Sequence, residues 1–498
     1  MKKVLVQFGR EKIFWALTFS FFLLASVNNF ISHSEYWAIA SARLMGTLSW
    51  ESAVLYYKPL FYLLLKVPYF FELANVEHIQ IARSLFGTLA FFCFYIFLKN
   101  TNRITCNPNM YFFMGIFLIS FQIYFYNLYR VRADLLSTFF ALLAYNHINS
   151  HFVYKKDLKP FDLKLFLFYC AAFLSTPKSI YLIFALFIYQ CFLFSKDFTP
   201  QKIFLQFVSY FLAPIGLTFA AFTLFQISGA VDTHPYSLAV LYQIQSYKGM
   251  TDTPPWGHVF TSMKINFFHY GLIFLGLTFF ITKKIFLKTA SKLEAGQVLL
   301  SFLVLVILTV HSEKWTYFIA QLIPFLSLPV LFFFQILPQK RAFQILMFIL
   351  LLGTPLIKTN HHSWFRSNSY QMKAITQLES LVQQIPGATY FDSTGILPRA
   401  HGRMWFLGPN DPSSTRYTIL NLKKEPPDFI FYTSKLDLAF TDITIFLYEN
   451  YQEIAQDVWL IKNKASVLET SQFALPGGLR TLFIYDYLPY MKPTPVPF

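Results

Sequence analysis

The chain has 498 residues, of which 55% are hydrophobic, 20% aromatic and only 13% charged, with 62 Phe and a mean hydropathy of +0.45. A water-soluble protein of this length does not carry so much apolar surface, so the bilayer is expected to be the solvent for most of it. The formal net charge of +16 comes from lysines in short loops between apolar runs, not from a basic stripe on a polar domain, so nucleic acid is not an expected partner.

Taken in chain order, apolar runs at 12–30, 80–98, 109–126, 133–150, 163–176, 179–195, 203–226, 265–282, 297–311, 317–335 and 342–357 read as roughly eleven membrane-spanning helices. Several are shorter than the ~20 residues a full span prefers, which marks two of them as re-entrant or broken helices. Lys2 and Lys3 ahead of the run Ile13–Val27 also fit a secretory signal. No small-x-small cleavage site follows and further spans do, so an uncleaved first helix is expected. With the N-terminus cytoplasmic, the inner segments carry Lys2, Lys3, Arg10, Lys12, Lys99, Arg103, Lys155, Lys156, Lys159, Lys164, Lys196, Lys202, Lys283, Lys284, Lys288, Lys292, Lys340 and Arg341. Few acids oppose them, whereas the first outer loop is balanced in charge. This asymmetry predicts a multi-pass protein of the inner (plasma) membrane whose C-terminal region lies on the periplasmic or extracellular face.

Outside the spans, residues 31–79 read as an amphipathic outer loop. Tyr36, Trp37, Ala40 and Leu44 share one face of a helix over Glu35–Gly46, expected to lie along the interface. A second short helix follows Pro59, from Leu60 to Phe71. The loop at 227–264 carries Asp232, His234 and Trp256 and suggests no role. Beyond about residue 360 the composition turns polar. A helix near 370–385, strands at Thr389–Phe391, Asp428–Tyr432, Val458–Ile461 and Leu482–Tyr485, and a helical stretch at Thr441–Ile454 predict a soluble α/β domain over 361–498, behind a transmembrane domain over 1–360. The four cysteines (Cys93, Cys106, Cys170, Cys191) lie in or beside the apolar runs, which argues against a disulfide framework or a cysteine metal site.

Polar residues that are costly near a bilayer collect on the outer side, and such residues are functional-site candidates by default. Glu35 opens the interfacial helix, where a carboxylate suits general-base work on an incoming hydroxyl or amine; an ordinary helix-start charge with Ser34 as cap is the plainer account. Tyr57 and Lys58 precede Pro59, placing an ammonium beside a helix start, where it either holds a lipid phosphate or snorkels to headgroups. Arg130, Arg132 and Asp134 crowd the turn before the fourth span, either as an Arg–Asp pair aiming a guanidinium at a phosphate or as a structural ion pair. Lys178 repeats the theme after Thr176-Pro177. His311, Glu313 and Lys314 fill another outer turn and suit phosphate binding or proton shuttling; a lone His–Glu pair is weak evidence for a divalent metal, and no other cofactor is implied. The chain has no P-loop, HExxH or G-x-S-x-G motif.

These motifs carry a family resemblance. Ser34-Glu35-Tyr36-Trp37-Ala38, Ala42-Arg43-Leu44-Met45, Tyr57-Lys58-Pro59-Leu60-Phe61-Tyr62 and Ala82-Arg83-Ser84-Leu85 resemble the first outer loop of the GT-C membrane glycosyltransferases, in the aminoarabinose transferase and protein O-mannosyltransferase branch. Arg132-Ala133-Asp134-Leu135-Leu136-Ser137-Thr138 is similar to that branch's entry into the fourth span. His311-Ser312-Glu313-Lys314-Trp315 resembles the His-Lys-Glu box of the branch using dolichol-phosphate-mannose. The likeness covers roughly residues 1–360. It implies an inverting transfer of a sugar from a polyprenyl-phosphate-linked donor to an acceptor (lipid, protein or polysaccharide) at the outer face. Glu35 would be the base, and Lys58, Arg132 and Lys178 would neutralise the departing lipid phosphate. One departure stands out: relatives often have Asp-Glu where this chain has Ser34-Glu35. The alternatives are a flippase or exporter of lipid-linked glycans, which would place charges along a path through the bilayer, and a non-catalytic glycan-binding relative.

Overall fold

The computed structural model describes residues 2–44, 58–105, 108–156, 161–196, 199–217, 220, 256–285, 288–310, 316–336, parts of 345–353, 367–392, 394–399, 402–403, 420, 422–433, 436, 440–467 and 475–483. Tyr57, His311, Glu313 and Lys314 lie outside them, as do most of the 227–264 loop and much of the run at 342–357.

The described chain is mostly helical. Helices α1 (Lys2–Asn28), α2 (His33–Leu44), α3 (Pro59–Lys66), α4 (Asn75–Thr105), α5 (Pro108–Ser120), α6 (Gln122–Leu128), α7 (Ala133–Val153), α8 (Leu163–Ser175), α9 (Ser179–Leu193) and α10 (Pro200–Phe207) are followed by α11 (Gly257–Ile265), α12 (Phe267–Ile285), α13 (Lys292–Val310), α14 (Thr316–Leu326) and α15 (Val330–Ile336). Short connections make α7, α8 and α9 run up and down, with α4 packed on α1 and α7. Among the described residues, three stretches, Asn75–Thr101, Lys292–Thr309 and Phe318–Gln335, are long and apolar enough to cross a membrane. Only 33% of the Lys292–Thr309 window is buried inside the protein, and Phe92, Phe184, Phe274, Ile281 and Phe302 also point outward. Helices that are apolar on both their packed and their outer faces belong in lipid.

Two of the expected spans are broken. The run at 109–126 forms α5 and α6, interrupted at Phe121. The amide of Gln122 donates to Asn266 Oδ1 (2.8 Å), and Ser120 Oγ lies 2.8 Å from His269 Nε2. A side chain from the α11–α12 junction thus satisfies backbone that the break exposes. The run at 317–335 breaks at Ser327–Pro329, where proline cannot donate the next helical hydrogen bond. Gly276 of α12 packs on this break so closely that a Cβ there would sit 2.1 Å from the Pro329 carbonyl oxygen.

The C-terminal region carries α16 (Ser369–Gln383), α17 (Phe440–Asn450), a last short helix α18 (Leu479–Leu482) and strands β1 (Tyr390–Phe391), β2 (Gly402–Arg403), β3 (Phe429–Phe431), β4 (Tyr451–Ala455) and β5 (Val458–Ile461). They form one mixed sheet, order β2-β1-β3-β5-β4, with β1 parallel to β2 and β3 and the other pairs antiparallel. Strand periodicity sorts its side chains. Tyr390, Phe429, Phe431, Val458 and Leu460 join the large core with α16, while Phe391, Ile430 and Trp459 pack with Ile443, Phe446 and Leu447 of α17.

Two readings of this region need correction. The strand expected at Leu482–Tyr485 begins instead as α18: Gly478 offers its carbonyl to the Thr481 and Leu482 amides and starts a helical turn. The helical stretch expected through Ile454 stops at Asn450, because Tyr451–Ala455 pairs with β5 through a turn in which Asp457 takes a positive φ of 67°. Strand β2 carries no sequence signal. Around the first outer loop, α2 is also more enclosed than an interfacial helix should be. Glu35, Tyr36, Ile39, Ala40, Ser41 and Ala42 are all buried, spanning several faces.

Gly276→Ala should therefore lower the thermal midpoint of the detergent-solubilised protein, by about 1–3 kcal/mol of overpacking. Gly271→Ala, in the same helix with open space around it, should be neutral or slightly stabilising. Parallel thermal-shift curves for the two variants test this close approach.

Candidate functional site at one end of the bundle

The site grows from the C-terminal end of α1. Ser32 caps α2, and Glu35, three residues on, reaches back to it: the Ser32 amide and hydroxyl donate to Oε2 at 3.0 and 3.1 Å. This is one half of a capping box: Glu35 takes the Ser32 amide, while the Glu35 amide donates to the Ser32 carbonyl and not to its hydroxyl. The other oxygen, Oε1, accepts the Val131 amide at 3.1 Å and lies 3.8 Å from Arg83 Nη1. Both Glu35 and Arg83 are fully buried. Arg83 Nε donates to the Ser26 carbonyl, while Ser26 Oγ sits between the carbonyls of Arg83 (2.6 Å) and Tyr129 (2.8 Å). One buried carboxylate thus ties the end of α1, the start of α2, α4 and the turn before α7 into a unit.

That turn carries the arginines. Arg132 Nη2 donates to Ser34 Oγ at 2.8 Å, and the Arg130 guanidinium stacks 3.8 Å over the Tyr126 ring. The Arg–Asp pair considered from the sequence is not formed. Among the described residues, Asp134 Oδ1 is buried with no hydrogen-bond partner, and no ion pair joins Asp134 to either arginine. Asp134 lies in the first turn of α7, where the helix dipole favours its charge.

Lys58, Arg132 and Lys178 share one local position: each is the residue that caps a helix N-terminus, of α3, α7 and α9 respectively, and none closes a side-chain capping bond. A cationic side chain has no acceptor with which to cap. It instead adds its charge to the positive helix end, so the combination attracts anions. The alternating course of α7, α8 and α9 puts the starts of α7 and α9 at the same end of the bundle, and α3 packs against both α2 and α8. Topology therefore collects Glu35, Lys58, Arg130, Arg132, Asp134 and Lys178 at one end.

The C-terminal region closes against this end. Gln371 of α16 accepts the Ile31 amide and donates to its carbonyl, both at 2.9 Å, and Asn368 Nδ2 donates to the Val27 carbonyl at 2.7 Å. Arg43 Nη1 donates to the Pro398 carbonyl (3.2 Å), and the Tyr69 hydroxyl lies 2.8 Å from the Ile39 carbonyl and 3.1 Å from that of Pro398. Burial raises the pKa of the Tyr69 and Tyr36 phenols above the ordinary value, so both stay protonated.

The sequence reading missed Arg83 as the partner of Glu35. The signal was present, because an arginine near the start of an apolar run needs a counter-charge and Glu35 is on the same side. Compared with known proteins, the chain matches no family model and no curated protein.

Replacing Glu35 by Gln leaves Arg83 as a buried charge without its counter-ion, and breaking such a pair costs about 3–5 kcal/mol. Glu35→Gln should therefore lower the thermal midpoint sharply, and adding Arg83→Met should recover part of the loss. An equal or larger loss in the double variant, measured by thermal unfolding in detergent, would show that the pair is not the coupling element.

Proposed function

We propose that this chain is an integral, multi-pass membrane glycosyltransferase that moves a sugar from a polyprenyl-phosphate donor to an acceptor at the outer face. The observation that carries the reading is the set of three helix N-termini, each headed by a cation, gathered at one end of a lipid-embedded bundle. Three such ends suit a phosphate on a lipid that leaves without nucleotide or ATP. The charge asymmetry of the loops orients this end outward. The resemblance to GT-C enzymes in Ser34-Glu35, Lys58-Pro59 and Arg132-Ala133-Asp134 supports the same chemistry.

The geometry redistributes the roles. Glu35 has three hydrogen-bond donors on its two oxygens and no exposed surface, so it acts by positioning the turn that holds Arg132. Position 34 is the one that faces Arg132, and a serine there is no base. Asp134, two residues after Arg132 and with a buried carboxylate oxygen that takes no hydrogen bond among the described residues, is the carboxylate proposed to take the acceptor proton. A non-catalytic glycan-lipid binder is the second reading, favoured by Ser34 standing where relatives often carry Asp.

The test compares lipid-linked sugars and envelope glycans, by mass spectrometry, in cells lacking the gene and in cells complemented with variants. The enzyme reading expects a polyprenyl-phosphate monosaccharide to accumulate and one glycan modification to disappear. Wild type should restore the modification, while Asp134→Asn and Arg132→Ala should not, although both are present in the membrane. Full rescue by Asp134→Asn removes it as the base. An unchanged lipid-linked sugar pool in the deletion overturns the transferase reading.

A further inference from the structure

The other end of the bundle carries a cluster unrelated to the outer site. His147 and His151 are four residues apart near the end of α7, which places both imidazoles on one helical face. Their rings lie 4.5 Å apart, centre to centre. Asp162, the N-cap of α8, folds back across the connecting turn. Its Oδ1 accepts the Leu165 amide (3.0 Å), and its Oδ2 lies 3.1 Å from His147 Nε2 and 4.0 Å from His151 Nε2.

One nitrogen from each histidine and one carboxylate oxygen lie within 4.8 Å of one another. Metal–ligand bonds of about 2.0–2.1 Å at tetrahedral angles need ligand atoms roughly 3.3 Å apart, so side-chain adjustments of about 1 Å would close the site. The three side chains are 14–20% exposed, enough to be reached from water and enclosed enough to be held.

The backbone under the cluster is braced. The Asp162 amide donates to the Tyr210 hydroxyl at 2.6 Å, and Tyr210 is fully buried in a π-helical turn (Val208–Leu212) that continues α10.

We propose that His147, His151 and Asp162 form a binding site for one divalent transition-metal ion, at the end of the bundle opposite the lipid-phosphate site. Two imidazoles and one carboxylate are a zinc-type ligand set with a coordination position left open, and they match Co²⁺ and Ni²⁺ as well; hard cations such as Mg²⁺ prefer all-oxygen shells. The ion would clamp α7 to α8 across a lysine-rich turn that carries Lys155 and Lys156.

The test uses the full-length protein in detergent, purified on a tag without histidine and stripped with chelator. Titration with Co²⁺, followed by visible d–d absorption and by metal content, should show one equivalent bound and displaced by Zn²⁺. His147→Ala and His151→Gln should each weaken that binding by ~10-fold or more, since even second-shell changes cost ~10–100-fold. Asp162→Asn is the fold-preserving control: asparagine still caps α8 but gives up the anionic ligand, so it should weaken binding with an unchanged thermal midpoint of the metal-free protein. The proposal is overturned if less than one equivalent binds, or if the affinity of the three variants equals that of wild type.

Discussion

A carboxylate and a guanidinium buried at the top of a lipid-facing bundle constrain everything around them. Removing two charges from water costs several kcal/mol per ion, and their attraction repays it only when the remaining donors and acceptors are also satisfied. Glu35 meets that condition with the Ser32 amide and hydroxyl and the Val131 amide; Arg83 donates to the Ser26 and Phe30 carbonyls, while its Nη2 is buried with no hydrogen-bond partner among the described residues. Each of those partners is backbone or a short side chain at a helix end. The pair therefore sets where α1 stops, where α2 starts and where the turn before α7 must sit.

The arrangement of the candidate site follows. Once Val131 is pinned, Arg132 on its far side meets Ser34, and Asp134 falls in the first turn of α7. The sheet region docks through the same boundary: Gln371 and Asn368 take the backbone groups left at the end of α1, and Pro398 takes Arg43 and Tyr69. A helix end in a low-dielectric setting leaves amides and carbonyls that must find partners. Here those partners come from the segment that covers the site, so coverage and helix termination are one structural solution. The histidine–aspartate cluster at the opposite end uses the same logic on a smaller scale, with Asp162 both capping α8 and gathering His147 and His151.

Much of this was legible in the residues. Most helices fall within a few residues of the apolar runs, because backbone in lipid has no water to bond and a continuous apolar run must become a helix. The starts of α3, α7 and α9 could be placed because Pro59, Asp134 and Pro177 mark them chemically. Strands β3 and β5 follow the short continuous apolar runs in Asp428–Tyr432 and Val458–Ile461. By contrast, Gly402–Arg403 is a strand only because it lies beside β1. Tyr451–Ala455 leaves the helical pattern because β5 offers it a partner, a cross-chain pairing that no local pattern encodes. His147, His151 and Asp162 passed unnoticed for a similar reason, being split between two elements.

By itself, the sequence determined that this is a helical protein for a lipid environment, with its charged residues sorted to the helix ends, because hydropathy and charge act residue by residue against the solvent. The tertiary structure alone decided which of two buried acids is saturated with partners. Glu35 and Asp134 are equivalent as carboxylates at helix starts, yet Glu35 meets Arg83 and three donors while Asp134 keeps an oxygen without a partner among the described residues. That distinction comes from distances between α2, α4 and the turn before α7, elements separated by tens of residues, and electrostatics in a low dielectric depends on those distances far more than on residue type.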